Sequence, residues 1–103
     1  MNLVRGNVYW ADLGHGEKPW LVVSNNARNQ ALRSALAARI TTTTKPELDS
    51  VVQLEHDDPL VGRVLCDDLE TLYVDEVARH AGALSMATMM RVDTGLRAAL
   101  ALR

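Results

Sequence analysis

Phenylalanine is absent from these 103 residues, and two tryptophans and two tyrosines supply all the aromatic surface. A single cysteine, Cys66, excludes an internal disulfide and any zinc cluster built on thiolates. The histidines His15, His56 and His80 have no helical ligand spacing, so no metal site is expected. Neither charge dominates: 13 acidic against 11 basic residues give a formal net charge of −2. That balance excludes a polybasic protein that holds nucleic acid by bulk charge, but not a local cationic groove. No apolar run approaches the roughly 20 residues that span a bilayer. The opening Met1-Asn2-Leu3-Val4-Arg5-Gly6 also lacks the apolar core of a signal peptide, so a cytoplasmic protein without membrane association is expected. Familiar nucleotide-binding and hydrolase signatures are missing as well. Gly14-His15-Gly16 has no third glycine at dinucleotide spacing, no G-K-[ST] follows it, and no G-x-S-x-G occurs.

What is present is a series of short apolar bursts punctuated by turn residues, at a length that fits one domain, 1–103. Residues 7–13, rich in aromatic and β-branched side chains, read as a strand ending at Gly14-His15-Gly16. Trp20-Leu21-Val22-Val23-Ser24 reads as a second strand, buried on both faces and joined to the first as a hairpin. Asn25-Asn26 resembles a helix N-cap before a short helix over 27–33. Strands are expected at 35–41, 51–54, 63–66, 68–72 and 81–84, with turns at Asp57-Asp58-Pro59 and Gly62. Ser85 caps a final helix over 86–102, in which Met89, Val92, Leu96 and Leu100 recur at helical spacing. Gly95 weakens that helix by about 1 kcal/mol relative to alanine. The sum is a mostly β, α+β fold: a small barrel or half-barrel of antiparallel strands with a short internal helix and a C-terminal helix. Trp10 and Trp20 read as core or interface residues, and Cys66 as a buried strand residue.

The residue types that carry chemistry are a turn with His15, Glu17 and Lys18, the hydroxyl cluster Thr41–Thr44, and scattered arginines including Arg5, Arg28, Arg33 and Arg39. A base, a cation and hydroxyl donors suit an anion site or phosphodiester cleavage, but these residues are too common to choose between them.

Four blocks in order go further. Arg5-Gly6-Asn7-Val8-Tyr9-Trp10-Ala11-Asp12-Leu13, Lys18-Pro19-Trp20-Leu21-Val22-Val23-Ser24-Asn25-Asn26, Ala37-Ala38-Arg39-Ile40-Thr41, and Val64 through Leu72 resemble the successive strands of the MazF/PemK toxins. The resemblance implies an SH3-like barrel, a homodimer and a cognate antitoxin. It also implies a ribosome-independent endoribonuclease acting on single-stranded RNA without metal or cofactor. The 2′-hydroxyl attacks the adjacent phosphorus, leaving a 2′,3′-cyclic phosphate and a 5′-hydroxyl.

By the same resemblance, Lys18 stands where the family carries a catalytic arginine and Thr41 where it carries a catalytic threonine. Lysine offers a point charge where arginine offers a planar fork. His15 is a candidate acid or base. The expected RNA contacts are Ser24, Asn25, Arg28, Arg39, Thr42 and Lys45. Asp68 and Glu70 join them where many members carry glutamine and arginine, and such acids repel phosphate unless they point away or read base amino groups. The alternatives are a non-nuclease toxin of the related CcdB type, which acts on DNA gyrase, and a degenerate binding module.

Overall fold

The computed structural model describes residues 1–103. Its elements run β1 (Asn7–Asp12), β2 (Glu17–Val22), α1 (Asn26–Leu32), β3 (Ser34–Thr41), β4 (Val51–Gln53), β5 (Arg63–Tyr73), a 3-10 turn (Val74–Glu76), β6 (Val77–Ala83) and α2 (Met86–Ala99). The strands pair antiparallel in one six-stranded sheet of order β4-β5-β3-β2-β1-β6. The expected mostly β class with two attached helices is the one found. The sheet is not closed into a full barrel, because β4 and β6 remain its two edges. No helix is long and apolar enough to cross a membrane.

The helix α2 ends at Ala99 rather than at 102, because Ala101 turns to φ +56° and Leu102 N–H closes back on the Arg97 carbonyl at 2.8 Å. Three strand boundaries also differ from the sequence reading, each for a local reason. The segments 63–66 and 68–72 form one strand, since β5 follows β3 along its whole length. Leu65 pairs with Arg39 and Leu69 with Ala38, so Cys66, Asp67 and Asp68 are taken up as a bulge rather than a break. The last strand starts earlier, at Val77, because β1 templates it from Ala11 backwards. Likewise β2 starts at Glu17 and contains Pro19. Its pairing with β3 runs only from Val22↔Ala37 to Trp20↔Arg39, so Pro19 lies beyond the ladder on that side, where its missing N–H costs nothing.

Alternating side chains build an apolar cluster on each face of the sheet. Val8, Leu21, Ala38, Ile40, Val64 and Cys66 pack with Val92 of α2, while Tyr9, Ala11, Trp20, Val22, Ala37 and Leu72 pack with Leu3. At Gly95 α2 passes close to the sheet. A Cβ there would lie 2.8 Å from Cys66 Sγ and 2.9 Å from the Asp49 carbonyl oxygen.

The β4–β5 loop is tied to the start of α2 by Asp58, which is buried. Its carboxylate accepts from Ser85 N–H (2.7 Å), Glu55 N–H (2.8 Å) and the Thr88 hydroxyl (2.7 Å). Burial alone would raise the Asp58 pKa, but these donors outweigh it and hold the group below its ordinary 3.8. This anchor fixes the loop that carries Leu60 and Val61 to one wall of the cleft described next.

Candidate functional site

Where β2 and β3 stop pairing, a cleft of about 370 Å³ opens between them. Glu17, Lys18 and Pro19 line one side, Arg39 through Thr43 the other, with Trp10, Leu60 and Val61 completing it. Carrying the β2–β3 register two residues past Trp20↔Arg39 sets Lys18 level with Thr41 across the gap. The same absence of a ladder that permits Pro19 therefore leaves room for a ligand between these two residues.

Each side of the gap is held in place. The Thr41 hydroxyl oxygen accepts from Thr43 N–H at 3.1 Å, which leaves its own hydrogen free to donate. Behind Thr41, Gly62 has φ +128°, and a Cβ there would come within 2.5 Å of the Thr41 carbonyl oxygen. Only glycine lets β5 begin this close to the end of β3. Arg39 is half-buried and lines the cleft, so a guanidinium stands opposite Lys18, while its Nε is itself buried without a hydrogen-bond partner. On the other wall, the Glu17 carboxylate accepts twice from Arg79, through Nε at 3.0 Å and Nη2 at 2.9 Å. Pairing with Arg79 offsets the one acidic side chain beside Lys18, leaving Lys18 and Arg39 to set the sign of the cleft.

Lys18, Arg39, Thr41 and Thr42 are thus brought together. His15 is exposed at the tip of the β1–β2 hairpin and is not part of the cleft lining. Lys45 lines a neighbouring, larger hollow of about 660 Å³ with Arg63, Glu47 and Asp49. That hollow adjoins the cleft through Thr43-Thr44 but mixes both charge signs.

Ser24, Asn25 and Arg28 are engaged within the chain. Ser24 Oγ accepts from Leu36 N–H at 2.8 Å and donates to Asn29 Oδ1 at 2.5 Å. Asn25 caps α1 by accepting from Arg28 N–H, and Arg28 Nη1 donates to the Ser34 carbonyl at 2.7 Å. Asp68, in the β5 bulge, and Glu70, opposite Ala37, are half-exposed on β5 and line neither opening. Cys66 is buried under α2, and burial, with the nearby charge of Asp67, pushes its pKa up to about 11. No group of three or more His, Cys, Asp or Glu side chains is placed to hold a metal ion.

Three cleft features escaped the sequence reading. Trp10 lines the cleft instead of filling the core, Leu60 and Val61 reach it from the β4–β5 loop, and Arg79 arrives from β6 to pair with Glu17. The spacing of residues along the chain gives no sign of these contacts, since each crosses from one element to another.

Known proteins place this architecture. The profile described as "PemK-like, MazF-like toxin of type II toxin-antitoxin system" matches residues 4–100. "Endoribonuclease MazF4" of Mycobacterium tuberculosis is 46% identical over 99 residues, spanning 96% of this chain and 93% of that protein. "Endoribonuclease MazF1" of Mycobacterium bovis matches with the same identity and coverage. Among solved structures, a mycobacterial endoribonuclease in complex with its cognate antitoxin superposes with TM-score 0.93 at 44% identity, covering 98% of this chain and 97% of that one. A MazE–MazF complex from Deinococcus radiodurans shares the fold at 21% identity, with TM-score 0.85 and coverage of 100% and 99%. The chain, with Lys18 and Thr41 facing each other across its cleft, belongs to the PemK-like, MazF-like toxins of type II toxin–antitoxin systems.

Proposed function

We propose that this toxin is an endoribonuclease that cuts single-stranded RNA by attack of a ribose 2′-hydroxyl on the adjacent phosphorus. The observation that carries the reading is the meeting of Lys18, Arg39 and Thr41 at one gap between parted strands. In the attack, the 2′-oxygen bonds to phosphorus and its proton passes to water. The bond to the 5′-oxygen breaks, and that oxygen takes up a proton. The products are a 2′,3′-cyclic phosphate and a 5′-hydroxyl. The phosphorane between them gathers negative charge on its non-bridging oxygens, so preorganised donors and cations there lower the barrier.

Lys18 supplies the point charge, Arg39 a guanidinium on the facing wall, and Thr41 a hydroxyl already oriented by Thr43 N–H. A guanidinium reaching the cleft from β3 offsets the absence of one at position 18. Thr42 borders the same gap and contacts the bound strand. Lys45 and Arg63 offer further cations in the adjoining hollow, beside the acids Glu47 and Asp49. His15 lies outside the cleft lining, so the phosphate-binding geometry is assigned without it. The toxin works in the cytoplasm as a homodimer, needs neither metal nor cofactor, and is held inactive by a cognate antitoxin.

The test is incubation of the purified chain with a mixed-sequence single-stranded RNA in EDTA. Cleavage that disappears in Lys18→Ala and Thr41→Ala is the expected result. No cleavage, with inhibition of DNA gyrase supercoiling instead, would replace this reading with that of a gyrase-binding toxin.

A further inference from the structure

The two tryptophans have different surroundings. Trp20 is 1% exposed within the apolar cluster of its face. Trp10 is half-buried, and its ring lines the cleft between β2 and β3. Its neighbours on the two adjacent strands are Pro19 and Arg79. The Arg79 guanidinium carbon lies 4.6 Å from the ring centroid, a cation–π contact. The same guanidinium makes the two hydrogen bonds to Glu17, so Arg79 is fixed by the ring on one side and a carboxylate on the other. Trp10 is therefore braced by its cross-strand partners while part of its ring remains open to the cleft.

We propose that Trp10 is the platform on which one base of the bound RNA strand stacks, with Arg79 and Glu17 as the residues that position it. The inference rests on the reading of the cleft as the RNA site. In the sheet, Trp10 is opposite Pro19, and its neighbour Ala11 is opposite Lys18. Alternation turns neighbouring side chains to opposite sides of the sheet. Yet Trp10 and Lys18 both line the gap left where β2 and β3 part, so a strand entering it with a phosphate at Lys18 brings a base within reach of Trp10. Single-stranded RNA exposes its bases for such contacts, and aromatic stacking accepts any base because each has a π-face. The platform therefore sets where the strand lies, and edge contacts elsewhere set which sequence is cut.

Trp10 also supplies the readout. With Trp20 buried, a change in intrinsic fluorescence on ligand binding reports on Trp10. The probe is a mixed-sequence oligonucleotide methylated at every 2′-oxygen, which cannot be cut by 2′-hydroxyl attack, added to the full chain. Trp10 emission is expected to be quenched with the same concentration dependence as binding followed by filter retention. Trp10→Phe retains binding without that signal, and Trp10→Ala weakens binding by about 5- to 150-fold. A series of oligonucleotides with an abasic residue at successive positions provides a test without mutation, and one position is expected to abolish the quench.

An oligonucleotide that binds without changing the emission, or that binds Trp10→Ala as tightly as the original chain, overturns the platform. Quenching in a chain that cuts no RNA supports the platform while refuting the nuclease. Cleavage without quenching refutes the platform alone.

Discussion

Replacing Gly95 by alanine sets two effects of opposite sign against each other. In an exposed helix the change stabilises by about 1 kcal/mol, because glycine loses more backbone entropy on folding. Gly95 is buried, however, and the added methyl would meet Cys66 Sγ at 2.8 Å, the Asp49 carbonyl oxygen at 2.9 Å and Val52 Cγ2 at 3.2 Å. The carbonyl belongs to the backbone and cannot rotate away, so α2 must lift from β4 and β5 or the 44–50 loop must shift. Overpacking of this kind costs about 1–3 kcal/mol. With a rigid neighbour on one side the upper half of that range applies, and the net result is a loss of about 1–2 kcal/mol. For a chain of this size that lowers Tm by roughly 5–10 °C. Urea denaturation followed by circular dichroism measures it, with a lower midpoint and an unchanged slope expected. The double variant with Cys66→Ala recovers the part due to the sulfur and leaves the part due to Asp49, a coupling seen only between touching residues. A Gly95→Ala chain as stable as the original, or more so, would refute the close packing of α2.

The other predictions concern the cleft and the two perturbed groups. Lys18→Ala and Thr41→Ala each reduce the cleavage rate by about 10²–10³-fold with unchanged stability, whereas Lys18→Arg retains activity; initial rates on a defined RNA and a thermal melt separate the two effects. Asp58→Asn destabilises by about 1.5–3 kcal/mol in a denaturant titration. The folded pKa of Asp58 lies below its ordinary 3.8, so its stabilising share is full above the usual carboxylate range. It is lost as pH falls through the folded value, and the slope of stability against pH below 3.8 is therefore shallower in Asp58→Asn. The Cys66 pKa is displaced upward, to about 11 from 9.0, so stability declines as pH rises from 9.0 towards that value. At neutral pH the Cys66 thiol reacts with a disulfide reagent only at the rate of unfolding, faster in Gly95→Ala than in the original chain.

The class of fold was legible because strand and helix patterns are local: the Asn25 and Ser85 caps hold both helices where the sequence placed them. Boundaries that depend on a partner strand were not. Asp67 looks like a break between two strands and lies in a bulge, because only the β3 register shows how β5 accommodates it. Gly95 reads as a helix weakener, and its value as a close contact emerges only when Cys66 and Asp49 arrive beneath it. In the site, Lys18 and Thr41 were found through family likeness. Arg39 was expected to touch RNA, and it lines the cleft. Ser24, Asn25 and Arg28 carry the right chemistry but use it to hold α1 against β3. Trp10 and Arg79 meet only through the β1–β6 ladder, a contact between opposite ends of the chain.

The central claim is that the ribose 2′-oxygen is the nucleophile at the Lys18–Thr41 gap. The direct measurement uses an RNA that the chain cuts at one mapped position, compared with the same strand lacking the 2′-hydroxyl at that nucleotide alone. The account predicts a 2′,3′-cyclic phosphate from the first strand and no cut at that position in the second. Cleavage of the 2′-deoxy strand at the same bond would contradict it.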